Sequence, residues 1–243
     1  MQAFDSLSRD IQQYIYDKGW PSLTSIQNAA IKQVANTDHN LILSAPTASG
    51  KTEAAFIPAL NSVEDWETGL KVLYISPLKA LINDQFQRIS ELSEYLDIPI
   101  TRWHGEVSQA QKRKVVNQPK GVLLITPESI EGMLVNRPGE AEHLFKGVEW
   151  IIIDELHSFL GTERGIHLQS LLQRISRFMQ APRFIAMSAT LNKKDFGYAK
   201  AFFGSPRHTD ILVDRDKNDL FITIDYTSGE AGPFVARESL EAI

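Results

Sequence analysis

Five short runs of valine, isoleucine and leucine limit what this chain can fold into: NLILSA (residues 40–45), KVLYIS (71–76), GVLLIT (121–126), VEWIII (148–153) and RFIAMS (183–188). None alternates apolar with polar residues as a half-exposed strand would. Each therefore reads as a strand covered on both faces, the usual state of strands in a parallel sheet. Between them lie segments whose apolar residues recur at steps of three and four, such as PLKALINDQFQRISELSEYL (77–96) and HLQSLLQRISRFMQ (167–180). That spacing predicts amphipathic helices. Strand alternating with helix predicts an α/β fold: a doubly wound, mostly parallel sheet with helices on both faces.

In such sheets ligands gather at the carboxyl ends of the strands, so the polar residues that follow each run are the candidates for a site. They are Ser44-Ala45-Pro46-Thr47, Ser76-Pro77, Thr126-Pro127, Asp154-Glu155 and Ser188-Ala189-Thr190. After Thr190 the pattern weakens. Residues 1–213 are expected to form one domain, and residues 214–243, which mix charge, glycine and one possible strand, a linker or the beginning of a second.

The first of these stretches continues as Ala45-Pro46-Thr47-Ala48-Ser49-Gly50-Lys51-Thr52 and then opens the helix-like TEAAFIPAL. Strand, Gly-Lys-Thr and helix in that order predict a phosphate-binding loop, although alanine stands where the first glycine is usual. Small residues let backbone N–H groups curl around phosphates at the positive end of the helix. Lys51 is expected to neutralise the β and γ phosphates, and the Thr52 hydroxyl to ligate Mg²⁺. About a hundred residues on, WIIIDELH delivers Asp154 and Glu155 at the end of a strand. An aspartate there can hold Mg²⁺, directly or through water, while the neighbouring glutamate orients and deprotonates the attacking water. His157 is placed as a polar coupler beside the γ-phosphate. A zinc site built on His157 and His167 is not expected, since neither cysteines nor an HExxH pattern accompany them.

Composition adds boundaries. A 43% hydrophobic content suffices for a large core, no apolar run approaches a membrane span, and the start MQAFDSLSRDIQQ lacks a signal-peptide pattern. No membrane partner is expected. The absence of cysteine excludes disulfides and thiolate chemistry and fits a reducing, cytoplasmic compartment. A net charge of −5 gives no global indication of nucleic acid, so such a partner has to be argued from local features.

With these residues in place, the chain resembles the first RecA-like lobe of the superfamily 2 DExH/DEAD-box helicases over about residues 4–204. Residues 45–52 are similar to motif I of that family, DELH to the DExH form of motif II, and SAT (188–190) to motif III. GWPSLTSIQ (19–27) is similar to its Q motif. SPLKAL (76–81), WHGEVS (103–108), TPES (126–129) and ERGIHL (163–168) resemble segments of its prokaryotic large helicase-related, or Lhr-like, branch. The resemblance implies a RecA-like P-loop NTPase fold, ATP as the nucleotide, Gln27 on the adenine with Phe4 or Trp20 near it, and Ser188 and Thr190 relaying the nucleotide state. It also implies a second RecA-like lobe, supplied by the same polypeptide and carrying the arginine finger, and a nucleic-acid track. Single-stranded DNA is favoured through the Lhr-like branch, with RNA open. His157 in place of aspartate, and TPES in place of TPGR, depart from the strict DEAD-box pattern.

Two features of the residues themselves point to the track. Ser76-Pro77 and Thr126-Pro127 each suggest a hydroxyl N-cap with proline at the first helical position, and two outward helix N-termini on one face could grip successive phosphates. Lys79 and Glu128 lie on the same expected face. Trp103 could stack on a base but reads more simply as packing, and QKRKVVNQPK (111–120) as a solvated helix end. Two alternatives remain: an ATPase that tracks duplex without unwinding it, and a GTPase switch using Asn192-Lys193-Lys194-Asp195, a stretch that Asn192 acting as a helix N-cap explains more simply.

Overall fold

The apolar runs form strands because the sheet has a core on each face. In the computed structural model, which describes residues 3–216 and 219–223, eight strands make one sheet: β1 Asn40–Ser44, β2 Gly69–Ile75, β3 Ile100–Trp103, β4 Lys120–Ile125, β5 Trp150–Ile153, β6 Arg183–Ser188, β7 Thr209–Asp216 and β8 Asp219–Thr223. Their order is β3-β4-β2-β5-β6-β1-β7-β8. Every pairing is parallel except β7 with β8, which is antiparallel at the edge. Alternate strand residues enter opposite cores: Leu41, Leu43, Val72, Tyr74 and Ile152 one, and Ile42, Leu73, Ile75, Ile151 and Ile153 the other. Period-two alternation is present, then, but both sides of it are apolar.

Nine helices cover the two faces among the described residues. On the first lie α1 Arg9–Asp17, α2 Ser25–Asn36, α3 Lys51–Ser62 and α4 Lys79–Tyr95, which contribute Ile11, Ile26, Phe56 and Ile82 to its core. On the second lie α5 Gln109–Asn117, α6 Pro127–Asn136, α7 Pro138–Phe145, α8 Glu163–Ser176 and α9 Phe196–Ala201, which contribute Val115, Ile130, Phe145, Leu168 and Ala199. The helices expected at residues 52–60, 77–96 and 167–180 appear as α3, α4 and α8, with ends displaced by a few residues. None of the helices is long and apolar enough to cross a membrane.

Two strands were not anticipated. β3 is half-exposed at the sheet edge. β7 is buried between β1 and β8 and runs to Asp216, so the sheet continues past residue 213. Most of the expected linker or second-domain segment, residues 217–218 and 224–243, lies outside the described residues.

Candidate active site

Parallel register brings the strand ends to one edge. Ile75 pairs with Ile125 and with Ile153, and Ser44 pairs with Ser188. The ladder then runs one residue further: Asp154 N–H donates to Ile75 O (2.8 Å), Ser76 N–H to Ile125 O (3.1 Å) and Ala45 N–H to Ser188 O (3.2 Å). Because β6 lies between β5 and β1, the segment starting at Ser188 sits between Asp154 and the loop that leaves β1.

That loop turns where its small residues permit. Ala48 (φ 64°) and Gly50 (φ 85°) are left-handed, and Gly50 opens α3. Glycine is favoured at position 50 by its φ, and a Cβ there would stand 2.5 Å from the Gln27 amide nitrogen, so that side chain would have to shift. Ala45 is not a defect in the loop. It is 1% exposed, and its methyl belongs to the first core. Pro46, Thr47 and Ala48 are exposed, and Ser49 is half-buried.

Lys51 folds back over the loop, its ammonium donating to Ala45 O and to Pro46 O (2.6 Å). Burial lowers its pKa from the usual lysine value, against the pull of the Glu155 and Asp154 carboxylates. Thr52 is buried, and its hydroxyl donates to Gln85 Oε1 of α4 at 3.0 Å. With the proton directed at Gln85, the hydroxyl lone pairs remain available to a cation. Asp154 is buried, accepts a hydrogen bond from the Tyr74 hydroxyl, and accepts another from Glu155 N–H at 2.9 Å. Burial raises its carboxyl above the usual aspartate value, while the Tyr74 hydrogen bond works the other way. Tyr74 itself is pushed well above an ordinary tyrosine, first by burial and then by Asp154. A desolvated carboxylate and a hydroxyl whose proton is directed elsewhere are oxygen donors of the kind that fits Mg²⁺.

Glu155 is the second left-handed non-glycine residue of the site (φ 50°, ψ 46°). This sparsely populated conformation costs on the order of 1 kcal/mol or more. Its carboxylate lies 3.2 Å from His157 Nδ1, which is 3.4 Å from Ser188 Oγ. The Ser188 hydroxyl donates to Thr190 O at 2.7 Å. Glu155, His157, Ser188 and Thr190 therefore form one polar chain running from β5 to β6.

Gln27 is placed differently from a free base-reading amide. It is 4% exposed and closes a capping box at the start of α2: Thr24 N–H donates to Gln27 Oε1 (2.9 Å) while the Thr24 hydroxyl accepts from Gln27 N–H. Its Nε2 lies 3.4 Å from Gly50 O. Phe4 and Trp20 are partly buried against the first core, Trp20 edge-on to Tyr14 with ring centroids 6.1 Å apart.

On the adjoining face one expected cap is present and one is not. Thr126 caps α6, accepting from Ser129 N–H, with Pro127 in the first turn. Ser76 does not cap α4. It is wholly buried, its N–H continues the sheet, and α4 starts only at Lys79, after Leu78, without a side-chain cap. Pro77 is buried and Lys79 is exposed and paired with Glu106. Trp103 is 6% exposed and packs in the second core with Lys112 over its ring, as a packing residue would. His167 is held by Glu131 of α6 (3.0 Å). Asn192 precedes a 3-10 turn, Lys193–Asp195, without a side-chain cap, so the expected N-cap does not form.

Two participants were not foreseen. Gln85 directs Thr52, and its only signal in the sequence is an amide at an inward position of α4. Arg164 of α8 donates through Nε (2.9 Å) and Nη2 (2.6 Å) to Glu128 Oε1 and through Nη2 to Pro77 O, joining the loop that follows β2 to the first turn of α6.

Residues 24–196 match the DEAD/DEAH box helicase family. The chain is 29% identical over 209 residues to the ATP-dependent helicase Lhr-Core of Methanocaldococcus jannaschii, covering 79% of itself and 24% of that protein. To the Lhr helicase/uracil glycosylase of Escherichia coli it is 32% identical, covering 78% of itself and 13% of that protein. Its fold is similar to the structure of Mycobacterium smegmatis helicase Lhr bound to ssDNA and AMP-PNP, with a TM-score of 0.77, 27% identity, and coverage of 88% of this chain and 28% of that one. The chain thus spans 13–28% of the length of these relatives, matching them over 78–88% of itself, and it corresponds to a RecA-like lobe. A fold with its loop, acidic pair and SAT segment on one sheet edge, matched over residues 24–196, places this chain in the DEAD/DEAH box helicase family.

Proposed function

We propose that this chain is the ATP-binding lobe of a nucleic-acid-dependent ATPase, a DExH-type helicase that couples hydrolysis to movement along a strand. The observation that carries the reading is the convergence of Lys51, Thr52, Asp154, Glu155, His157, Ser188 and Thr190 at adjacent strand ends around a left-handed loop. In this reading Gly50 and the backbone N–H groups of Ala48 and Ser49 cradle phosphates, and Lys51 exchanges its loop carbonyls for phosphate oxygens. Thr52 and Asp154 would hold Mg²⁺, which when bound neutralises the charge that develops on the phosphates. Glu155 takes the proton of the attacking water. His157 carries the state of Glu155 to Ser188 and Thr190, and so to the strand-binding face. Gln27 reads adenine with the part of its amide not committed to Thr24, and through Gly50 it senses the loop.

The strand-binding face comprises the α6 N-terminus at Thr126, Pro127 and Glu128, with Ser76, Pro77 and Lys79 alongside. Arg164 is a positioning residue for it. Arg164→Met is expected to weaken binding of a single-stranded oligonucleotide several-fold, measured by anisotropy. Thermal stability should fall by less than about 1 kcal/mol, because the ion pair is half-exposed. Unchanged binding would remove Arg164 from this role.

A second RecA-like lobe completes the cleft in this reading and brings the arginine finger, whose loss costs about 10³ or more in rate. Hence this chain alone should bind ATP weakly and turn it over slowly. The test is the ATPase rate of the full-length protein with single-stranded DNA, duplex DNA and RNA in turn, single-stranded DNA being the favoured track. Stimulation by duplex alone would favour a translocase that does not unwind, and no stimulation by any of them would reject the nucleic-acid assignment. ATP preference lost in Gln27→Ala supports the adenine reading, whereas GTP preference lost in Asp195→Ala would favour the switch.

A further inference from the structure

We propose that His39, His208 and Asp210 form a binding site for a divalent transition-metal ion, at the opposite edge of the sheet from the nucleotide loop. The backbone builds it. His39 and His208 immediately precede β1 and β7, which pair in parallel from Asn40 with Thr209, and Asn40 N–H donates to His208 O at 2.8 Å. The two imidazoles therefore stand side by side, 4.8 Å apart between ring centroids. Asp210 follows His208 by two residues, so the pleat turns its carboxylate to the same face.

One candidate ligand atom from each of the three residues lies within 4.8 Å of the others. His39 Nδ1 is 2.7 Å from Asp210 Oδ2, and His208 Nε2 is 3.2 Å from Asp210 Oδ1. Tetrahedral ligands at zinc distances stand roughly 3.3 Å apart, so small side-chain rotations suffice. The second observation concerns satisfaction. Asp210 is 0% exposed, yet its Oδ1, like His208 Nε2, has no aligned hydrogen-bond partner. A buried carboxylate oxygen and a ring nitrogen 3.2 Å apart, close enough to ion-pair yet not aligned for a hydrogen bond, are placed as two ligands of a common ion would be. The Gln33 amide donates to Asp210 Oδ2 and fixes the carboxylate from behind, as outer partners of metal ligands do.

The ligands choose the ion. Arg207 is paired with Asp38 at 2.7 Å, and Arg183 donates to His39 O and Val34 O, so two guanidiniums border the site. They oppose any divalent cation alike, so only a site with strong ligands can hold one. Two imidazoles favour Zn²⁺, Co²⁺ or Ni²⁺ over Mg²⁺. The side chains of His39 and His208 are 31% and 25% exposed, which leaves a path for the ion and for a water as fourth ligand.

The experiment is titration of the chain, freed of any histidine tag, with Co²⁺ and then with competing Zn²⁺. Expected are visible d–d bands of a low-coordinate complex saturating at a single Co²⁺ per chain, bleached by Zn²⁺ and untouched by millimolar Mg²⁺. His39→Ala and His208→Ala should each weaken binding at least tenfold and Gln33→Ala about tenfold, with circular dichroism unchanged. Asp210→Asn should abolish binding. Should that buried variant not fold, the two partly exposed histidines carry the test. No saturable Co²⁺ spectrum, or one that persists in the double His39→Ala, His208→Ala variant, overturns the site.

Discussion

Glu155→Gln is expected to reduce strand-stimulated ATP turnover by two to four orders of magnitude, the usual size of a lost general base, while nucleotide affinity stays within about threefold. The two quantities separate because the proposed ligands of the nucleotide and its metal, Lys51, Thr52 and Asp154, do not depend on the glutamate side chain for position. Lys51 is held by loop carbonyls, Thr52 by Gln85, and Asp154 by Tyr74 and a backbone N–H. Stopped turnover with analogue binding retained, measured on the full-length protein, supports Glu155 as base. A parallel loss of binding would make it a ligand, and an unchanged rate would remove it from the chemistry. The left-handed backbone at Glu155 adds a stability effect that can be read separately: Glu155→Gly should relieve strain on the order of 1 kcal/mol as it removes activity.

Gly165→Ala is expected to cost about 3 kcal/mol or more, a fall in Tm of roughly 6–12 °C. A Cβ at this position would lie 1.9 Å from the carbonyl oxygen of Phe159 and 2.8 Å from its carbon. Neither neighbour can yield easily. Phe159 is fully buried, and Gly165 N–H is committed to Thr162, which caps α8. Gly132 is the control. It lies inside α6 with nothing within 4 Å of an added Cβ, so Gly132→Ala should stabilise by up to about 1 kcal/mol. Thermal melts of the two variants decide it, and equal Tm values would mean that the α8 approach to Phe159 is looser than described.

The five strands that carry most of the site were legible because a strand buried on both faces is apolar throughout. β7 escaped for the opposite reason: Asp210 and Asp214 interrupt its apolar pattern, and only the fold supplies the partners, Gln33, His39 and Ser25, that make buried carboxylates tolerable. β3 is short and half-exposed at an edge, so Ile100 and Trp103 give too little contrast. The placement of the loop, Asp154, Glu155, His157 and the SAT segment after adjacent strands was legible from residue order. Ser76 misled because Ser-Pro resembles a helix start, whereas the ladder with β4 holds Ser76 on the sheet and delays α4 to Lys79. Gln85 and Arg164 act across 33 and 36 or more positions of chain, and no local pattern encodes such contacts.

The position of β1 in the sheet also sets an order of assembly. Its two neighbours are β6 and β7, so the strand that launches the loop finds no partner until roughly 140 residues have followed it. At ribosomal speeds that interval is on the order of ten seconds. Through it Leu41, Ile42 and Leu43 lack their native partners, while β2, β4 and β5 can already associate. The loop that leaves β1 is thus among the last parts of the lobe to take its native shape.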